Sequence, residues 1–240
     1  MLDQLSSQRE SLQEATPQPP FKKFRIVLIK PSKYDDDGYV IRFWKGVLPS
    51  NTLNVLHGLT EDLRQRRVFG ELPIEVTTFD ETAEKIPLAK IVRWSKTPGV
   101  KLLVCLVGVQ TNQFPRALDM ARFFKRHGLP VIVGGFHTSG TINMLGDQEP
   151  DIQQLYREEI CMVSGEVEGK WEGILADFLH DRLKPLYSFA QDLQNLVDIE
   201  EAPLPQTSAK TMKHFAYPSF ATADTSRGCP FACTFCTIIN

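Results

Sequence analysis

The chain has 240 residues, 42% of them hydrophobic and 23% charged, with 27 basic against 29 acidic side chains and a net charge of −2. That length allows one large domain or two small ones, and the near-neutral balance removes any electrostatic reason to expect nucleic acid or an anionic membrane as partner. No run approaches the ~20 apolar residues of a membrane span. With no secretory leader, the five cysteines point to a reducing, cytoplasmic setting and to thiol or metal chemistry rather than disulfides.

Residues 1–20 are polar, rich in Gln, Ser and Glu, and close on Pro17-Gln18-Pro19-Pro20. They read as a disordered arm. Residues 21–190 alternate β-branched runs with helical patterns. Arg25–Lys30 is the first expected strand, ended by Pro31. Leu53, Leu56, Leu59 and Leu63 recur at helical spacing behind the capping residues Ser50 and Asn51. Pro73–Phe79 is a second strand, with a helix expected over much of Glu81–Lys96. Lys101–Val107, almost wholly apolar, suits the centre of a parallel sheet. Phe114, Leu118, Ala121 and Phe124 mark a helix face with Pro115 in the first turn and His127-Gly128 at the end. Pro130–Val133 and Met162–Ser164 complete five strands, followed by a helix near Lys170–Leu183.

Strands alternating with helices imply an α/β fold, a flavodoxin-like (Rossmann-type) doubly wound parallel sheet of order 2-1-3-4-5. Ligands of such sheets bind beyond the carboxyl ends of the strands, and small and polar residues gather there. Ser32 follows strand one, Gln110 and Thr111 follow strand three, Gly134, Gly135 and His137 follow strand four, and Gly165 and Glu166 follow strand five. Any one such loop needs Gly, Ser or Thr simply to turn. Four on one rim mark candidate cofactor-binding residues.

Residues 191–219 lose periodicity. Glu201-Ala-Pro-Leu-Pro-Gln206 cannot form a continuous helix, so the stretch reads as a linker with packed apolar anchors. Residues 220–240 then open with a strand over Phe220–Thr225 that runs into Ser226-Arg-Gly-Cys229-Pro-Phe-Ala-Cys233-Thr-Phe235-Cys236. Cysteines spaced C-x3-C-x2-C can give three thiolates to a 4Fe–4S cube and leave the fourth iron open. A structural zinc site wants four closed ligands, and beyond Cys236 the chain offers neither Cys nor His. Cys105 and Cys161, in or beside strands, read as small core residues.

The spacing, Phe235 before the last cysteine and the preceding Arg-Gly-Cys-Pro resemble the radical S-adenosylmethionine superfamily. A flavodoxin-like domain and a proline-bearing linker ahead of that motif resemble its cobalamin-binding branch, with Val133-Gly-Gly-Phe-His137 and Gly165-Glu-Val-Glu-Gly169 standing at its Gly-Gly-x-His and Gly-Glu-x-Glu segments. The resemblance implies a cluster on Cys229, Cys233 and Cys236, S-adenosylmethionine beside Phe235, and a 5′-deoxyadenosyl radical, with cobalamin as second cofactor unless the domain has lost it, and methyl transfer to carbon or a related rearrangement as the outcome. It also implies a small-molecule substrate and an electron donor such as flavodoxin or ferredoxin. Alternative readings are a cobalamin-binding sensor without turnover and a structural iron–sulfur or zinc protein.

One departure bears on the cobalt ligand. The branch members that place an imidazole under cobalt carry Asp-x-His-x-x-Gly after the first strand, whereas here the first-strand loop has no histidine and Gly135 stands at the Asp position before His137. His137 is therefore expected to stabilise its loop or line a pocket. Glu166 and Glu168 are expected to cap the next helix, and Asp35-Asp36-Asp37-Gly38 to form a solvated turn. The resemblance further implies a βα barrel whose later strands lie beyond Asn240, so the chain is expected to be a fragment, inactive by itself, that holds only the first strand and cluster loop of that barrel.

Overall fold

The computed structural model describes residues 21–189 and 200–217. Among these, β1 (Lys23–Lys30), β2 (Ile74–Asp80), β3 (Val100–Leu106), β4 (Val131–Gly134), β5 (Cys161–Ser164) and β6 (Leu186–Ser188) form one sheet in the order β2-β1-β3-β4-β5-β6. Every pairing is parallel. The expected doubly wound order is present, and β6 extends it by one strand.

Alternation along the strands divides the core. Phe24, Ile26 and Leu28 of β1 face one layer and Val27 and Ile29 the other, all without exposure. The first layer is closed by α1 (Asn51–Gln65) and α6 (Trp171–Leu179), the second by α2 (Leu88–Ser95), α3 (Phe114–Arg126) and α5 (Pro150–Arg157). α1 begins as the sequence dictates: Ser50 is the N-cap, and its hydroxyl accepts the Leu53 N–H at 3.4 Å.

Three helical expectations need correction. The helix expected from Glu81 starts only at Leu88. Asp80 instead closes a turn, its Oδ1 accepting the Thr82 N–H at 3.0 Å and the Thr82 hydroxyl at 2.6 Å. Pro87, at the N-cap position, has no N–H to continue a helix from upstream. The helix expected to reach Leu183 stops at Leu179, where Asp181 takes a left-handed φ of 57°. The segment after β4, read as a loop, becomes a helix almost at once: α4 (Phe136–Leu145).

Residues 200–217 are strapped to the sheet domain. Gln206 N–H donates to Asn54 O at 2.9 Å, and the Leu204 carbonyl lies so close to Gly58 that a Cβ there would meet it at 2.4 Å. The short helix α7 (Ala209–Met212) covers the β2 edge, with Ser208 and Thr211 hydroxyls 2.6 and 2.7 Å from the Thr78 hydroxyl. Lys210 Nζ donates to Thr78 O at 3.0 Å, which occupies an otherwise open strand edge. Phe215 is buried against Gly46, and the two stretches of chain bridge there in parallel. Among the described residues no helix is long and apolar enough to cross a membrane.

Candidate functional site at the carboxyl rim of the sheet

Connections leave β1 and β3 toward opposite faces, so their carboxyl ends part and open the crevice where such sheets take ligands. Lys30 and Ser32 stand on its β1 side. Lys30 Nζ donates to Gln113 Oε1 at 2.7 Å, and the same oxygen accepts the Gln110 N–H at 3.1 Å. Burial lowers the Lys30 ammonium below the ordinary lysine range, against the opposing pull of Asp80. One amide thus ties the β1 end to the first turn after β3.

Ser32 is buried, and its N–H donates to Glu81 Oε2 at 3.2 Å while its hydroxyl donates to Ile41 O at 2.5 Å. Its N–H is thus committed to the turn after β2 and its hydroxyl to its own loop. Gln110 and Thr111 are exposed on the facing side, with Gln110 capping the 3-10 turn Thr111–Gln113. Asp35 Oδ1 accepts the Asp37 and Tyr39 N–H groups at 3.1 and 2.7 Å, and Gly38 sits at φ 85°. The expected turn is therefore formed.

After β4, Gly134 O accepts the Val109 N–H at 3.1 Å, and Val109 O accepts the His137 N–H at 2.9 Å. This crossing of the two loops fixes Gly135, at φ 139°: a Cβ there would lie 2.2 Å from Val109 N and 2.7 Å from Gly108 C. Only glycine leaves room for that approach.

His137 is 5% exposed, in the first turn of α4. Its ring stacks on Phe114 with centroids 4.2 Å apart, and its Nδ1 is 3.4 Å from the Thr111 hydroxyl. Its Nε2 lies 3.2 Å from Asp151 Oδ2 without hydrogen-bond alignment. Burial lowers the imidazole below its ordinary value, and Asp151 opposes that only in part. Nδ1 thus faces the Thr111 hydroxyl, and Nε2 is buried beside Asp151 without a hydrogen bond.

Ser139 Oγ accepts the Gly165 N–H at 3.0 Å, joining α4 to the loop after β5. Glu166 is exposed and Glu168 buried. Lys170 is the N-cap residue of α6, and just before it Glu168 Oε2 accepts the Val167 N–H at 3.1 Å. Thr138 Oγ1 and Ser164 Oγ, both fully buried in this β4–β5 part of the rim, have no hydrogen-bond partner among the described residues. A buried hydroxyl without a partner is costly, and both oxygens lie beneath the surface of the rim. Sequence reading passes over Thr138 because a threonine inside a Gly/Ser/Thr run has no distinguishing pattern.

Cys229, Cys233, Phe235 and Cys236 lie outside the described residues, as do residues 1–20 and the expected strand Phe220–Thr225. Among the described residues no group of three or more His, Cys, Asp or Glu side chains could hold a metal. Cys105 and Cys161 are buried free thiols, 1% and 4% exposed, as expected for core residues. Burial raises the Cys161 thiol to about 12 and the Cys105 thiol well above its ordinary range.

No family model matches the chain. It is a distant homologue of the bacteriochlorophyllide d C-8(2)-methyltransferase of Chlorobaculum tepidum, 28% identical over 141 residues. That alignment covers 56% of this chain and 28% of the relative, so the chain spans well under a third of the relative's length. A solved structure of histidine-tagged anSMEcpe with bound AdoMet aligns over 68% of this chain and 61% of its own, at 12% identity and a TM-score of 0.27.

Proposed function

We propose that this chain supplies the cobalamin-binding-like domain and the cluster loop of a radical S-adenosylmethionine enzyme that transfers a methyl group to carbon. The observation that carries the reading is the motif Ser226–Cys236, with C-x3-C-x2-C spacing and an aromatic residue before the last cysteine. The distant kinship to a methyltransferase supports the reaction class.

Cys229, Cys233 and Cys236 would be the cluster ligands, and Phe235 would stand beside S-adenosylmethionine. A three-thiolate 4Fe–4S cluster supplies an electron that splits a carbon–sulfur bond of S-adenosylmethionine to give a 5′-deoxyadenosyl radical. On the sheet domain, Gly134, Gly135 and Gly165 stand at the carboxyl ends of β4 and β5, on the rim where such sheets take ligands. Gln110 and Thr111, exposed on the facing loop, offer the polar groups that would hold cobalamin. His137 would not ligate cobalt, since Phe114, Thr111 and Asp151 enclose its ring. Its part is to hold the α4 turn against the β3 loop.

Anaerobic reconstitution with iron, sulfide and zinc in competition tests the cluster. The expected result is the absorption and paramagnetic signature of a 4Fe–4S centre, perturbed by added S-adenosylmethionine. Stoichiometric zinc with no iron uptake overturns the reading. Equilibrium dialysis against hydroxocobalamin tests the second cofactor separately.

A further inference from the structure

Between β1 and α1, the stretch Tyr39–Leu48 holds five large apolar side chains mostly in water. Tyr39 is 73% exposed, Phe43 61%, Trp44 93%, Val47 64% and Leu48 47%. Single exposed apolar residues need no explanation, but five within ten positions form a patch, and patches of this kind mark interaction sites.

The backbone beneath the patch is held. Ile41 N–H donates to Lys33 O at 2.9 Å, Phe43 N–H to Thr82 O at 2.8 Å and Gly46 N–H to His214 O at 3.0 Å, while Gly46 O accepts the Ala216 N–H at 2.8 Å. The aromatic side chains are thus presented outward by a fixed scaffold. The last two bonds also identify what is delivered to it. The chain coming from α7 reaches Ala216 bonded to the middle of this stretch, with Phe215 packed on Gly46. Two residues later the sequence continues as Pro218-Ser-Phe220 and then Cys229-Pro-Phe231-Ala-Cys233-Thr-Phe235-Cys236, rich in aromatic and small apolar residues.

We propose that residues 39–48 are the docking surface for the cysteine-bearing segment 218–236 of the same chain. The interface between linker and sheet domain already runs from Gln206 through Thr211 and Phe215 to Gly46, and the patch continues it without a break. A second copy or an outside protein could cover apolar side chains equally well. The short tether favours the segment in cis, because intramolecular attachment gives it an effective concentration on the order of millimolar. The patch then sets where the cysteine loop sits relative to the carboxyl rim, whatever metal the thiolates hold.

The test uses the full 240-residue chain. A photoactivatable benzoylphenylalanine replaces Phe43, and the cross-linked peptides are mapped by mass spectrometry. Cross-links within one chain to residues 218–240 are expected. Cross-linked dimers, or products that omit this segment, overturn the proposal. Acrylamide quenching of Trp44 gives an independent readout, taken as the difference between the wild type and Trp44→Phe. Quenching several-fold weaker than for free tryptophan is expected, and quenching equal to it overturns the proposal. Neither result depends on iron content, so failure here is distinguishable from failure of the cluster assignment.

Discussion

Arg116 of α3 clasps Glu81 at the end of β2: its Nε lies 3.0 Å from Oε2 and its Nη2 lies 2.6 Å from Oε1, with the carboxylate fully buried and the guanidinium 16% exposed. Burial disfavours the guanidinium charge, but Glu81 and Tyr34 outweigh it and raise Arg116 above its ordinary value. The pair closes the rim, since Glu81 also accepts the Ser32 N–H and Arg116 reaches the Tyr34 hydroxyl at 3.4 Å. Breaking a buried pair from one side leaves an unmatched charge. Arg116→Ala is expected to destabilise the domain by about 3–5 kcal/mol in urea unfolding, and Arg116→Met with Glu81→Gln together by clearly less than their sum. Additive effects would mean that the pair contributes nothing.

Gly134 and Gly135 are adjacent in the sequence but not equivalent. A Cβ on Gly135 meets Val109 N at 2.2 Å at a backbone angle that L side chains rarely adopt, whereas a Cβ on Gly134 meets Val163 O at 3.4 Å, an ordinary contact. Gly135→Ala is expected to cost more than about 2 kcal/mol and to lower protection of the Val109 amide in hydrogen exchange, and Gly134→Ala less than about 1 kcal/mol. Equal effects would remove the loop crossing as the reason for the glycine.

Which features the sequence reveals depends on how each is stabilised. The strands of the sheet centre announce themselves because β1 and β3 are buried on both faces and need continuous apolar runs. β6 has three residues, with Leu186 half-buried and Ser188 exposed, too little apolar pattern to register. α4 is hidden for a different reason: the face it buries is His137, Thr138, Ser139 and Gly140, so it has no apolar stripe at helical spacing. At the rim, Gly-Gly-x-His is visible as a string. The neighbours that decide what His137 can do, Phe114 and Asp151, come from other helices and can be placed only by the fold.

His137 and His57 are both held below the ordinary histidine value of 6.5, first by burial, with Asp151 and the Gln206 carbonyl opposing in part. Between the folded and unfolded values the unfolded chain binds the extra proton, so stability rises with pH across that window. The contribution is whole above 6.5 and is lost as pH falls toward the folded values. Proton-detected titration is expected to place the His137 midpoint below 6.5, and lower still in Asp151→Asn. A midpoint above that value in the wild type would contradict the enclosed ring.

Phe215 anchors the linker with 1% exposure, and its ring occupies the space a Gly46 side chain would take. Phe215→Ala removes most of a buried aromatic side chain, a change that costs about 3–5 kcal/mol in a core. Because the strap lies on the domain surface, the cost is expected as local opening. Hydrogen exchange should accelerate at Gly46, Ala216 and Gln206, whose amides bridge strap and domain, while the β1 and β3 amides keep their protection. Global loss of protection would mean that the strap is part of the folding core.

The five cysteines divide by chemistry, and alkylation reads the division directly. Iodoacetamide attacks a thiolate, so both access and acidity set its rate. Cys161 is 4% exposed with its thiol pushed up to about 12, and Cys105, at 1% exposure, is raised well above the ordinary range. At neutral pH both are expected to stay unmodified until denaturant opens the sheet. Cys229, Cys233 and Cys236 are expected to label in the metal-free chain and to be protected after iron loading. Cys233→Ala should then abolish iron uptake. Cys105→Ala should leave uptake unchanged while lowering stability by roughly 1 kcal/mol, the scale of one buried methyl-sized group. Iron retained at full stoichiometry by Cys233→Ala, or lost from Cys105→Ala at a temperature where the domain is folded, would move the cluster away from the C-x3-C-x2-C loop.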